Sequence, residues 1–217
     1  MRSQIVLALM AVVVGLQSAS ATEIGLDTVL VWNPQVLIAS DGFNDGILDP
    51  LWAVISGEPG PESGETLEMH GGDGIFRALN SNRAADLTAY SRMLLTDFPA
   101  GSFVSMILFE QASNKSISIG MAPGEAFLVD ETGAILGSAV LPPSSEANLL
   151  LTLIPHGPGL LGVTASVNDV TFTNALKVEF GTVTGLAINV VPEPATLGLL
   201  GLGCVAMCVR RLRRTRN

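Results

Sequence analysis

Val163-Thr164-Ala165-Ser166-Val167-Asn168-Asp169-Val170-Thr171-Phe172 holds two runs in which apolar and polar residues alternate, joined by Asn-Asp. Alternation with period two puts successive side chains on opposite faces of a strand, so each run predicts a strand with one buried and one solvated face. Two such runs separated by Asn-Asp predict a tight antiparallel hairpin. Ser116-Ile117-Ser118-Ile119-Gly120 carries the same alternation further upstream.

Outward from that hairpin the pattern repeats. Strand-like segments are expected at 89–95, 103–109, 116–121, 126–130, 134–140, 147–154, 160–167, 169–172, 177–180 and 185–191. Turn residues separate them, among them Asp97-Phe98-Pro99-Ala100-Gly101, Pro142-Pro143-Ser144-Ser145 and His156-Gly157-Pro158-Gly159. Short strands at this spacing, with no useful helix-period segment between them, predict an all-β, antiparallel β-sandwich. Earlier in the chain, Val29-Leu30-Val31 and Val36-Leu37-Ile38 read as an edge strand broken at Asn33-Pro34. Thr66-Leu67-Glu68-Met69-His70 and Ile75-Phe76-Arg77-Ala78-Leu79, joined by Gly71-Gly72-Asp73-Gly74, predict a second hairpin.

Between these lies Asp41-Gly42-Phe43-Asn44-Asp45-Gly46-Ile47-Leu48-Asp49-Pro50-Leu51-Trp52. This D-x-F-x-D-G-x-L-D-P-x-W stretch resembles the entry segment of laminin-G-like, concanavalin-type jelly rolls. The resemblance implies that Phe43 and Trp52 plug the sandwich while Gly and Asp make turns. Asp41, Asp45 and Gly46 also occupy positions 1, 5 and 6 of an EF-hand loop, but Phe43 and Trp52 stand where oxygen ligands are required. The stretch is therefore expected to be a structural turn; no cofactor or metal ligand is assigned, and a calcium site of another kind stays open.

The two ends of the chain differ from its middle. Met1 to Ala21 has one positive charge at Arg2, an apolar core from Ile5 to Leu16, and Ala19-Ser20-Ala21 in A-x-A spacing, which predicts a signal peptide cut after Ala21. At the other end Pro192-Glu193-Pro194 precedes an apolar run, 195–209, and then Arg210, Arg211, Arg213, Arg214 and Arg216. As a helix the run would be roughly 22 Å long, short for a bilayer core of roughly 30 Å. The arginines would stay cytoplasmic by the positive-inside rule, leaving everything before Pro192 outside. This tail resembles the PEP-CTERM sorting signal of exported bacterial proteins, which implies recognition and removal by an exosortase. Pro192, Glu193, Pro194, Arg210 and Arg211 are the residues that carry the likeness; a plain uncut anchor is the alternative.

Those boundaries divide 217 residues into a signal peptide (1–21), a sandwich (22–191) and a sorting signal (192–217) with a transmembrane helix at 195–209. The stretch from Glu23 to Glu179 has nineteen carboxylates against five basic residues, a net charge of −14. Such a surface will not neutralise phosphates, which excludes nucleic acid as a partner. Both cysteines, Cys204 and Cys208, lie in the tail, so the exported part must hold together by packing without disulfides.

No catalytic set is assigned. His70 and His156 are the only histidines and read as turn or surface residues. Glycoside hydrolysis needs two facing carboxylates, yet Glu65 with Glu68 and Asp130 with Glu131 have the wrong spacing, while Glu110 and Glu179 are isolated at strand ends. Trp32, Trp52 and Tyr90 are the only rings besides Phe, a sparse supply for stacking on sugars. The expectation is a non-enzymatic, exported surface or matrix protein. The PEP-CTERM resemblance implies a link to exopolysaccharide. A lectin-like module and a divergent glycosidase are the alternatives.

Overall fold

A computed structural model describes residues 22–79, 86–155, 161–178 and 182–191. The expected signal peptide with Ala19 and Ala21, His156, Glu179, and the tail from Pro192 through Arg210 and Arg211 lie outside the described residues.

Among the described residues the regular structure is all strand. In chain order the strands are β1 (Glu23–Trp32), β2 (Leu37–Asp41), β3 (Trp52–Ser56), β4 (Glu62–Ser63), β5 (Thr66–His70), β6 (Gly74–Ala78), β7 (Thr88–Asp97) and β8 (Phe103–Glu110). They continue as β9 (Lys115–Ala122), β10 (Glu125–Asp130), β11 (Ile135–Val140), β12 (Glu146–Pro155), β13 (Leu161–Val167), β14 (Val170–Val178) and β15 (Gly185–Val191). Sheet A runs β14-β13-β12-β7-β1-β5-β4, with β2 also on β1; sheet B runs β11-β10-β9-β8-β15-β6-β3. Every pairing is antiparallel.

Alternation explains the layering. Leu149, Leu151 and Leu153 of β12 and Ile117 and Ile119 of β9 are fully buried, and the residues between them on β12 face out. Each such side chain contributes roughly 1.5–3 kcal/mol by leaving water, and together they fill the space between two sheets as in a β-sandwich. The Asn168-Asp169 hairpin is present: Val167 pairs with Val170 and Asn168 adopts φ 51°.

Several segments depart from the sequence reading. Val29-Leu30-Val31 is no edge; it belongs to β1, which pairs with β7 on one side and in succession with β5 and β2 on the other. Pro34 falls in the β1–β2 turn, where Asn33 Oδ1 accepts the amides of Gln35 and Val36, so no ladder bond is lost. The segments at 66–70 and 75–79 do not form a hairpin. Asp73 instead turns the chain from sheet A to sheet B, its carboxylate accepting the His70 and Glu58 amides. Strands β3 and β4 carry too few alternating residues to be legible; of the segment expected at 177–180, Lys177 and Val178 continue β14, and residues 179 and 180 lie outside the described residues.

Both ends of the described chain lie at one end of the sandwich. The Thr22 carbonyl accepts the Gly71 amide and the Val190 carbonyl accepts the next amide, Gly72. Val191 is still paired with Phe103 in the middle of sheet B, so Pro192 follows a ladder residue with no linker between.

Candidate functional site

The solvent-facing side of sheet A gathers the polar and aromatic residues. On β1, Val29 and Val31 point inward, so Leu30 and Trp32 point out; on β7, Ala89, Ser91 and Met93 point inward, leaving Thr88, Tyr90 and Arg92 outside. Register sets Trp32, Thr88 and Thr152 in one row across β1, β7 and β12, and Leu30, Tyr90 and Leu150 in another. Trp32 and Tyr90 are therefore diagonal neighbours on one face, a separation of roughly 7–8 Å in an antiparallel pair.

Hydrogen bonds fix this face. Tyr90 donates its hydroxyl to Asn148 Oδ1 at 2.8 Å, and burial pushes its phenol above the ordinary range, so it stays a donor. Arg92 donates Nη1 to Asp27 Oδ2 at 2.8 Å, and Nη2 and Nε to the two oxygens of Glu146 at 2.8 and 3.3 Å. That fork holds the Glu146 carboxyl below its usual range. Planar, oriented donors beside half-buried rings can hydrogen-bond hydroxyls and stack on apolar ring faces. Three non-Phe rings are a sparse supply in the sequence, but register brings two of them, Trp32 and Tyr90, to one face.

The second site lies where the chain crosses from β2 of sheet A to β3 of sheet B. Asp41 pairs with the inward-facing Val29, and Glu62 with the inward-facing Leu67, so both carboxylates point between the sheets at the open edge. Trp52 donates its indole Nε1 to Asp41 Oδ2 at 2.7 Å, and the Phe43 amide donates to Asp41 Oδ1. Phe43 and Trp52 are buried with ring centroids 5.7 Å apart, as the concanavalin-type resemblance implied. Arg77 reaches in from β6 over the Trp52 ring, donates to the Ser40 carbonyl, and lies 4.0 Å from Asp41 and 3.7 Å from Asp49. Glu62 is 8% exposed, and neither of its oxygens meets a donor in bonding geometry. Burial first, and then the neighbouring Asp45 and Asp41 carboxylates, raise its pKa.

The remaining acidic residues singled out from sequence have local roles. Glu65 sits in the β4–β5 turn at φ 72°. Asp130 Oδ1 accepts the amides of Thr132 and Ala134, and Glu131 pairs with Lys115. Glu110 accepts from the Thr182 amide and hydroxyl and from Ser113, tying strand ends together. His70 does have partners: Nε2 lies 2.9 Å from Glu68, and Glu23, Glu68 and His70 present ligand atoms within 4.8 Å of one another. No helix among the described residues is long and apolar enough to cross a membrane.

The fold and the order of its ends define an antiparallel β-sandwich that passes directly from a central strand into a C-terminal tag. Residues 190–214 match the PEP-CTERM protein-sorting motif, a span that includes Pro192, Glu193, Pro194, Arg210 and Arg211. That motif marks an exported protein handled by an exosortase, held at the membrane before sorting. No curated protein matches the chain. Among solved structures the chain is similar to one titled "Crystal structure of a GH43_12 retrieved from capybara gut metagenome", at 12% identity and a TM-score of 0.47. The likeness covers 70% of this chain and 34% of that one, so the chain spans about a third of its length.

Proposed function

We propose that the chain is an exported, exosortase-processed surface or extracellular-matrix protein whose sandwich is a non-catalytic adhesive module for extracellular polysaccharide. In this reading residues 1–21 are a signal peptide, 22–191 a concanavalin-like jelly roll, and 192–217 a sorting signal whose helix at 195–209 anchors the chain until it is cut. The sorting motif supports export, and the observation that carries adhesion is the placement of Trp32 and Tyr90 as diagonal neighbours on the solvent face of sheet A. Rings there would stack on sugar faces while Asn148, Thr88, Thr152 and Arg92 hydrogen-bond hydroxyls.

The test is co-sedimentation of the full chain with exopolysaccharide from the cells that make it. Wild type is expected to pellet with the polymer, and Trp32→Ala and Tyr90→Ala each to weaken retention about tenfold, in line with the loss of more than about 1 kcal/mol on truncating an aromatic anchor. Equal retention of all three proteins would remove sheet A as the binding face. Release of sugar from the polymer, abolished by changing one carboxylate, would show a glycosidase instead.

A further inference from the structure

We propose that the open edge between the sheets, beneath the crossing at 42–51, is a binding site for a hard divalent cation of the calcium class, held by the Glu62 and Asp45 carboxylates with the charge of Asp41 behind them. The site differs from the EF-hand register, because its deepest ligand comes from β4 rather than from the loop.

The starting point is the position of Glu62. An inward-facing place opposite Leu67 is one that an apolar residue normally fills, and an ionised carboxylate there loses its hydration with nothing in return unless a partner supplies charge. The residue is more than nine-tenths buried, and neither carboxylate oxygen meets a donor in bonding geometry. Among the described residues the one inward cation at this edge, Arg77, is already committed to the Ser40 carbonyl, Asp41, Asp49 and the Trp52 ring. Asp41 in turn is committed to the Trp52 indole and the Phe43 amide. What remains is a buried carboxylate facing Asp45, with one neutral amide, Gly46, close by.

Two occupants can relieve that arrangement: a proton shared between Glu62 and Asp45, or a cation between them. A single proton neutralises one charge, whereas a divalent cation offsets both. The donors are all oxygen, which selects hard ions over zinc or copper. Calcium accepts six to eight oxygens in loose geometry, including backbone carbonyls and water, whereas magnesium demands a near-ideal octahedron. A site made from one strand residue and one turn residue fits the tolerant ion. Asp45 is exposed and Glu62 is not, so the site has an entry from solvent and a buried floor. Extracellular calcium modules bind with dissociation constants of about 10⁻⁴–10⁻³ M, and this two-carboxylate site belongs in that range. Its effect would be to pin the crossing between the sheets.

The experiment uses the full chain purified in detergent and stripped with chelator, with terbium(III) as the calcium probe. Trp52, bonded to Asp41, is the sensitiser. Wild type should give saturable terbium luminescence that calcium displaces, and calcium should raise its melting temperature. Glu62→Gln and Asp45→Asn should each weaken terbium binding about tenfold or more and abolish the calcium shift, while Glu68→Gln should leave both unchanged. Asp45 is exposed, so its variant reports even if Glu62→Gln fails to fold. Absence of a saturable signal in wild type, or equal affinity in Asp45→Asn, would overturn the proposal. So would loss of binding in Glu68→Gln with the Asp45 variant intact, which would move the site to the His70 cluster.

Discussion

The Trp52 indole donates to Asp41 Oδ2 at 2.7 Å, joining the first residue of β3 to the last residue of β2 across the passage between the sheets. The bond is made to a charged acceptor that is largely shielded from water, and that acceptor also holds the Phe43 amide and faces Arg77. Asp41→Ala would leave the indole N–H without its acceptor and Arg77 with less counter-charge. The expected loss of stability is about 2–3 kcal/mol, read as a lower urea midpoint at unchanged slope. A change under about 0.5 kcal/mol would mean that the bond does not hold the crossing.

Gly120 of β9 lies under the Phe127 ring, which packs edge-on against Phe103 with centroids 5.7 Å apart. A methyl group at residue 120 would fall 2.4 Å from that ring and 2.8 Å from the Val104 carbonyl oxygen. Gly120→Ala is expected to destabilise by about 1–3 kcal/mol, the usual range for overpacking. Adding Phe127→Leu should recover part of that loss in a double-mutant cycle, since the ring can be trimmed and the carbonyl cannot. Strict additivity of the two changes would show that the ring is not the obstacle.

Stability should depend on pH in two opposing ways. Glu62 has a folded pKa above the ordinary 4.5, so without metal the native state binds the extra proton and stability falls as pH rises from 4.5 through the folded value. Glu146, held down by Arg92, behaves oppositely: its contribution is full above 4.5 and is lost as pH falls through its lower folded value. Urea melts of chelated protein across pH should show Glu62→Gln flattening the first trend, and Glu146→Gln the second. Saturating calcium should also flatten the first. If the Glu62→Gln and wild-type curves run parallel above pH 4.5, Glu62 is not the group responsible.

The processed chain should have a defined mass. With Val191 paired to Phe103 and Pro192 next in line, removal near Pro194 would free a thiol-free, acidic sandwich without Cys204, Cys208 or the five tail arginines. Intact-mass spectrometry of protein recovered from the cell surface is expected to find a chain lacking 210–216. Replacement of Pro192, Glu193 and Pro194 by alanine should keep the arginines and leave the chain in the membrane fraction. A surface form that retains them would make the tail a plain anchor.

Short-range signals made much of this protein readable. Period-two alternation located most strands from β7 onward to within a residue or two, because in a sandwich one face of each strand must be apolar whatever its neighbours are. Asn168-Asp169 marked its hairpin for a similarly local reason: two residues decide a tight turn. Pro192-Glu193-Pro194, the apolar run and the arginines are contiguous, and the matched motif covers that stretch through Arg214.

Residues acting together from distant parts of the chain were not readable. Trp32 and Tyr90 are fifty-eight positions apart and share a face only because β1 pairs with β7 in one register, and a slip of one residue would have put one of the rings inside. Gly71-Gly72-Asp73 reads as a hairpin turn, but whether it joins neighbours in one sheet or passes to the other depends on partners elsewhere in the chain. Glu62 in sequence is one acid beside prolines and glycines. Its burial, its lack of a donor and its closeness to Asp45 arise from the packing of two sheet edges and the committed bonds of Arg77. Alternation and contiguous motifs are properties of the chain itself, whereas register, sheet membership and the electrostatics of a buried group exist only after distant segments have met.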